Sequence, residues 1–327
     1  MFDLKISKIN KAHKFLKNTI NYTPLITNDK INKLTNSKIY FKLENLQKTG
    51  SFKLRGAAYK ISRLSRKDKS KGVVAYSSGN HAQGVAYAAK QMNVKATIVM
   101  PYNAPKIKIK KTKNYGATVV LYDPKKERRE EIANKISKDK GSILIKPFDD
   151  IDIITGQGTV GKEIVEQLNA INVIPDVYIC CTSGGGLIAG SSFYLKRKYK
   201  NIRCYSAEPA FFNDHQLSLK KKKIIKINNK NKSICDALLE PQPGKITFPI
   251  NNKILNGGLS VSDKQIKKTI KLLAEELNLI IEPGGAVAAA SVLNNKINLK
   301  NKKVVVVLSG SNIDLDYFHK IINEINE

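Results

Sequence analysis

A chain of 327 residues, 42% hydrophobic and 26% charged, is long enough for two domains or one large α/β unit with a buried core. No run of eighteen apolar residues occurs, so no membrane span is indicated, and Met1 to Phe15 lacks an apolar signal core. The net charge of +30 would suit a phosphate backbone, yet lysine outnumbers arginine fifty to seven and travels with Asn and Ile, as A/T-rich codons dictate. No nucleic-acid recognition motif accompanies it, so neither a nucleic-acid nor a membrane partner is expected. Cys180, Cys181, Cys204 and Cys235 show no metal-ligand spacing and read as reduced thiols of a cytoplasmic chain.

In chain order, apolar β-rich runs predict strands at Ile39–Leu43, Val73–Tyr76, Ala96–Met100, Thr118–Tyr122, Asp176–Cys181, Arg203–Ala207 and Lys303–Leu308. Helical spacing falls between them, at Gly79–Met92, Ala104–Asn114, Lys125–Lys138, Gly156–Leu168, Leu187–Lys198 and Asp263–Leu277. This alternation predicts an α/β fold with a mainly parallel sheet and helices on both faces. Ligands of such sheets sit beyond the carboxyl ends of the strands. The lysine-rich island Lys220–Lys232 reads as an exposed excursion. Residues 236–258, with Pro241, Pro243, Gly244, Pro249 and Gly257-Gly258, read as a long loop-rich connection.

Five motifs carry chemistry. In Gln47-Lys48-Thr49-Gly50-Ser51-Phe52-Lys53-Leu54-Arg55-Gly56-Ala57, Lys53 stands at a strand-to-helix boundary in apolar surroundings. Desolvation there would lower its pKa and suit it to Schiff-base chemistry, although a helix-start lysine with its head in water fits the segment equally well. Ser77-Ser78-Gly79-Asn80-His81 opens a helix after a strand, which makes either an anion site suited to a carboxylate or an ordinary cap. Ser183-Gly184-Gly185-Gly186-Leu187 is a glycine-rich strand-to-helix turn able to aim several N–H groups at a phosphate; it is neither a dinucleotide nor a Walker motif. Ser309, at the tip of the Val304–Leu308 run, could bond a ring nitrogen or simply begin a turn. Glu208 and Asp214 follow a strand and could share a hard cation or be two solvated acids.

Taken in this order and spacing, from Thr23-Pro24-Leu25 through Glu282-Pro283-Gly284-Gly285-Ala286 to Ser309-Gly310, the motifs resemble the fold-type-II pyridoxal-phosphate enzymes. The branch is that of threonine/serine dehydratases (ammonia-lyases) and serine racemase. The resemblance implies the tryptophan-synthase-β-like architecture. A large domain (1–71 and 148–327) and a small inserted α/β domain (72–147) would hold pyridoxal 5'-phosphate in the cleft and close on substrate. It implies Lys53 as the Schiff-base lysine and proton acceptor, with Phe52 beside the ring. Asn80 would bond the phenolic oxygen, and Ser183, Gly184, Gly185, Gly186 and Leu187 would hold the phosphate. Glu282 would belong to the cofactor set, and Ser309 would meet the pyridine nitrogen. Substrate would lie on Ser77, Ser78, Gly79, Asn80 and His81. Ser78 stands where racemases carry a second base, and Arg129 where an arginine can approach a second carboxylate.

Glu208, the Phe212 carbonyl and Asp214 match a divalent-cation site for Mg or Ca. The implied activity is water elimination from L-threonine or L-serine, giving a 2-oxo acid and ammonia; serine racemase and 3-hydroxyaspartate dehydratase are the alternatives. The small hydroxy amino acid would be its substrate and a homodimer or homotetramer its assembly. The chain ends fifteen residues after Asn312, which implies a form without the C-terminal regulatory domain of feedback-controlled relatives. Two positions depart from the family pattern: Ser183 and Ser311 stand where many relatives have glycine.

Overall fold

The computed structural model describes residues 3–228 and 231–324. Ten strands form two sheets: β1 (Leu25–Ile26), β2 (Lys38–Leu43), β3 (Val73–Tyr76), β4 (Ala96–Pro101), β5 (Thr118–Tyr122), β6 (Ile143–Leu144), β7 (Val177–Cys181), β8 (Arg203–Pro209), β9 (Gly257–Val261) and β10 (Lys303–Leu308). The larger sheet has the order β1-β2-β10-β7-β8-β9 and the smaller β5-β4-β3-β6. Every pairing is parallel except β1 with β2. Two parallel-rich sheets in one α/β chain are the architecture expected from the strand and helix alternation.

The physical reason is legible in β10, where Val304 to Leu308 are fully buried. A strand that is β-branched on both faces suits the middle of a parallel sheet covered by helices on each side. The smaller sheet's strands all fall between Val73 and Leu144. Its core, however, takes in Leu16, Leu54, Ala57 and Ile153 from outside that segment. The helix Lys53–Arg63 therefore packs on the small sheet's own helix Asn80–Gln91 while its first residue faces the large sheet. An isolated bridge, Ser51 with Gly310, and a bond from the Phe52 amide to the Ser309 carbonyl at 3.2 Å pin that first turn to the tip of β10.

Three expectations are corrected. The helix expected at Gly156–Leu168 is two helices, Ile151–Gln157 and Thr159–Ala170. Asp150 caps the first through the amides of Asp152 and Ile153, a start signal at the N-cap that spacing alone passes over. The segment 236–258 is not loop throughout: it holds a helix, Thr247–Ile254, and the start of β9. Pro249 sits in that helix's first turn, where its missing N–H costs nothing. The helix expected from Lys125 starts at Arg129. In the lysine island, Lys220 and Lys221 end the helix Asp214–Lys221, Lys222 and Lys223 are exposed, and residues 229 and 230 lie outside the described residues.

Candidate active site

The carboxyl ends of β7, β10 and β3 converge on a cavity of about 400 Å³. Every residue assigned above to cofactor or substrate lines it, from Phe52 and Lys53 through the Ser77–His81 and Ser183–Leu187 turns to Arg129, Glu282 and Ser309. Lys53 is the first residue of its helix, and its Nζ donates to the Pro147 carbonyl at 2.9 Å. The same ammonium lies 5.3 Å from the Phe52 ring centroid. No carboxylate pairs with it among the described residues. Burial pushes its pKa down to about 8, against the opposing field of Glu240. A basic amine that is neutral in part near pH 8 is a nucleophile waiting for an electrophile.

Across the cavity, Gly185 begins the helix Gly186–Lys198 with φ +92°, a left-handed conformation that a side chain resists. A Cβ there would also stand 2.7 Å from both His215 Nε2 and Asn251 Nδ2. The amides of Ser183 to Ile188 donate to no other group among the described residues. Thr247 Oγ1 holds the loop from behind, donating to the Gly184 carbonyl at 2.5 Å. Unused N–H groups at a helix start make a ready anion cradle. These donors and the facing amine fit a phosphorylated aldehyde: one end offers N–H groups to a phosphate, the other a neutral amine to a carbonyl.

The Ser77–His81 turn is a second helix start. Ser77 Oγ accepts from the Gly79 amide at 3.1 Å, while the Ser78 hydroxyl has no partner among the described residues. His81 Nε2 lies 2.9 Å from the Ile145 carbonyl, so Nε2 carries the proton and Nδ1 is left buried without a partner. Burial, and then the Lys53 charge, push its pKa down to about 3, so the ring is neutral.

The Asn80 amide is held on both sides, with one Nδ2 proton left over. Its Nδ2 donates to Glu282 Oε1, and its Oδ1 accepts from Asn312 Nδ2 at 2.9 Å. Gly310 lets Glu282 approach, since a Cβ there would overlap Glu282 Oε1 at 2.0 Å. The other Glu282 oxygen pairs with Lys108 Nζ at 3.0 Å, and Lys108 also donates to Asp236 at 2.6 Å. Burial alone would lower Lys108, but Glu282 and Asp236 more than offset it and hold its pKa above the ordinary lysine value. Glu282 thus stands behind Asn80 as its orienting acceptor. Ser311 turns its hydroxyl away to the Asn45 carbonyl at 2.9 Å.

Ser309 Oγ is met by the Cys181 thiol at 3.0 Å. Arg129 lies under the cavity rim with its guanidinium 5.3 Å from the Tyr76 ring centroid. It is already paired, with Glu240 at 2.7 Å and Glu130 at 2.7 Å.

Glu208 and Asp214 come together outside the cavity, joined by a third group, His215; their ligand atoms lie within 4.8 Å of one another. Glu208 accepts from the amides of His215 and Gln216 at 2.8 and 2.7 Å, and Phe212 lies in the intervening turn. Both Asp214 oxygens are buried without a hydrogen-bond partner, and His215 Nδ1 stands 3.7 Å from one of them. Burial pushes the pKa of both acids up, and Asp214 adds to the shift of Glu208. Two buried carboxylates so placed fit a divalent cation.

Lys108, Cys181, Asp236 and Glu240 also line the cavity and His215 stands against Gly185, and motif reading gave none of the five a role. Only Cys181 carried a local signal, since it ends a strand directly before the glycine turn.

Unused helix-start amides facing a desolvated lysine fit a cofactor-dependent enzyme of aldehyde chemistry. The family model described as pyridoxal-phosphate dependent enzyme matches residues 16–310, and the chain belongs to that family. It is 38% identical over 98% of its length to 79% of an L-threonine ammonia-lyase of Thermotoga maritima. It is 38% identical over 95% of its length to 94% of an L-threo-3-hydroxyaspartate ammonia-lyase of Saccharomyces cerevisiae. The structure of maize serine racemase superposes with a TM-score of 0.91 at 33% identity, covering 99% of this chain and 98% of that one. The protein is accordingly an enzyme of the pyridoxal-phosphate ammonia-lyase and racemase group.

Proposed function

We propose that this chain is an L-threonine/L-serine ammonia-lyase, converting each hydroxy amino acid to its 2-oxo acid and ammonia. The observation that carries the reading is the unpaired, half-buried Lys53 amine, which faces the free amides of Ser183 to Ile188 across one cavity. Ser183 to Leu187 would hold the phosphate of pyridoxal 5'-phosphate, Lys53 its aldehyde, Ser309 its ring nitrogen and Asn80 its phenolic oxygen. When bound, the cofactor withdraws electrons from the substrate Cα.

The chain's own groups do the rest. The Ser77–His81 helix start receives the substrate carboxylate, and neutral His81 fixes that turn to Ile145 without adding charge. Lys53 Nζ, as a neutral amine facing the substrate, would take the Cα proton. The Cα proton and the β-hydroxyl would leave together as water, and the enamine product would tautomerise and take up water to give 2-oxobutanoate or pyruvate with ammonia. Phe52 and Phe148 line the cavity with apolar surface. The smaller sheet, within 72–147, would be the domain that closes on substrate.

Arg129 supports a monocarboxylate over 3-hydroxyaspartate. Its guanidinium is matched by Glu130 and Glu240, so a second substrate carboxylate would have to displace one of them. Racemisation is the second reading, favoured by the unpartnered Ser78 hydroxyl in the cavity. Glu208, the Phe212 carbonyl and Asp214 would hold Mg or Ca.

Turnover of L-threonine, L-serine and both 3-hydroxyaspartate diastereomers, read as ammonia and 2-oxo acid, tests the reading. Faster release from threonine and serine is expected. Faster release from a hydroxyaspartate would overturn the substrate assignment, and D-serine lost on Ser78→Ala would establish racemisation.

A further inference from the structure

Ser309 has one hydroxyl proton, and its direction decides whether it can give or must receive a hydrogen bond from a ring nitrogen in the cavity. Beside it stands Cys181, the last residue of β7, whose strand is paired in parallel register with β10. Both residues line the cavity with Lys53, and Cys181 is 4% exposed. Cys181 Sγ lies 3.0 Å from Ser309 Oγ, within hydrogen-bond reach. The Ser309 backbone cannot swing away. Its carbonyl accepts from the Phe52 amide at 3.2 Å and its amide donates to the Gly285 carbonyl at 3.4 Å.

A thiol is a weak acceptor, and the reverse bond would use up the hydroxyl proton on it. With the thiol donating, one Ser309 lone pair is occupied and the hydroxyl proton turns into the cavity. We propose that Cys181 is a positioning residue: it orients the Ser309 hydroxyl as a donor and so favours a ring nitrogen without a proton. The proposal rests on the reading of Ser309 as partner of the cofactor's ring. It adds a role for a thiol that would otherwise only fill space at the foot of the glycine turn. An unprotonated ring withdraws electrons less strongly, which favours rapid loss of the β-hydroxyl over slower exchanges at Cα.

The test is ¹⁵N NMR of the holoenzyme loaded with ring-¹⁵N pyridoxal 5'-phosphate, in wild type, Cys181→Ala, Cys181→Ser and Cys180→Ala. Wild type and Cys180→Ala should show the unprotonated ring signal. Cys181→Ala should move it toward the protonated position, and Cys181→Ser, which keeps a donor of similar size, should restore it. Elimination should follow the same order, with kcat in Cys181→Ala down about three- to tenfold and KM little changed, the span of one neutral hydrogen bond. An unshifted ring signal in a Cys181→Ala protein that binds cofactor normally overturns the inference and leaves the proposed function standing. If Cys181→Ala does not fold, a Cys181→Ser signal moved away from wild type overturns it equally, and one that matches supports it. A wild-type protein that takes up no cofactor overturns the reading beneath.

Discussion

Arg55 and Lys53 lie two residues apart on one helix and end in opposite electrostatic circumstances. Arg55 is fully buried, and its guanidinium reaches Glu44 at 2.7 Å and Glu163 at 2.6 Å. Lys42 completes the cluster on Glu163 at 2.6 Å and also donates to the Thr23 carbonyl at 2.7 Å. Two buried cations therefore meet two buried acids with their hydrogen bonds filled. Lys53 has a single carbonyl for company. The contrast separates charge used to fix a helix from charge left available for chemistry. A buried ion pair holds geometry and does not react; a desolvated amine without a counterion reacts.

The sharpest way to break this contrast is to remove each residue in turn. Lys53→Ala should abolish elimination, by at least the roughly 10²–10⁴-fold that a positioned proton acceptor contributes, while leaving the thermal midpoint unchanged or slightly raised. Arg55→Ala should do the reverse to stability and cost about 3–5 kcal/mol in chemical denaturation, because it strands buried Glu44 and leaves Glu163 with Lys42 alone. A Lys53→Ala protein that unfolds more readily than Arg55→Ala would invert the assignment.

The two regions should also separate by pH. Burial pulls the Glu163 pKa up, but Arg55 and Lys42 more than offset it and hold the carboxyl below its ordinary value. Its contribution to stability is therefore present above the unfolded pKa, about 4.3, and is lost as the pH falls through the lower folded value. Lys53 runs the other way. Its amine becomes neutral as the pH rises through about 8, so cofactor uptake by apoprotein should accelerate with a midpoint there rather than near the ordinary lysine value. Stopped-flow absorbance across that range checks it.

Cation addition probes a third buried group. Mg or Ca at a hundredfold excess over its Kd should stabilise the fold by about 2.7 kcal/mol, and Asp214→Asn should remove the effect. The smallest expected change is in Glu240→Gln. Loss of the field that raises Lys53 should move the uptake midpoint to lower pH.

Much of this was legible before the fold was seen, because backbone demands leave local marks. The glycine turn at Gly184–Gly186, the Val304–Leu308 strand and the lysine behind Ser51-Phe52 each announce a conformation or an environment. Lys108 announces neither. It is one of five lysines in the helix Lys106–Asn114, and only the approach of Asp236 and Glu282 from distant segments distinguishes it. His215 is similar, since its place beside Gly185 depends on how the helix Asp214–Lys221 meets the glycine turn. The small sheet's core reached Leu16 and Ile153 for the same reason: packing across helices has no local signature.

Borohydride reduction of the holoenzyme, followed by peptide mass mapping, tests the central claim most directly. The protein has fifty lysines, nearly all indistinguishable by composition. The account predicts a reduced pyridoxyl adduct on Lys53 alone at stoichiometric cofactor. Adducts scattered over surface lysines, with Lys53 unmodified, would contradict it.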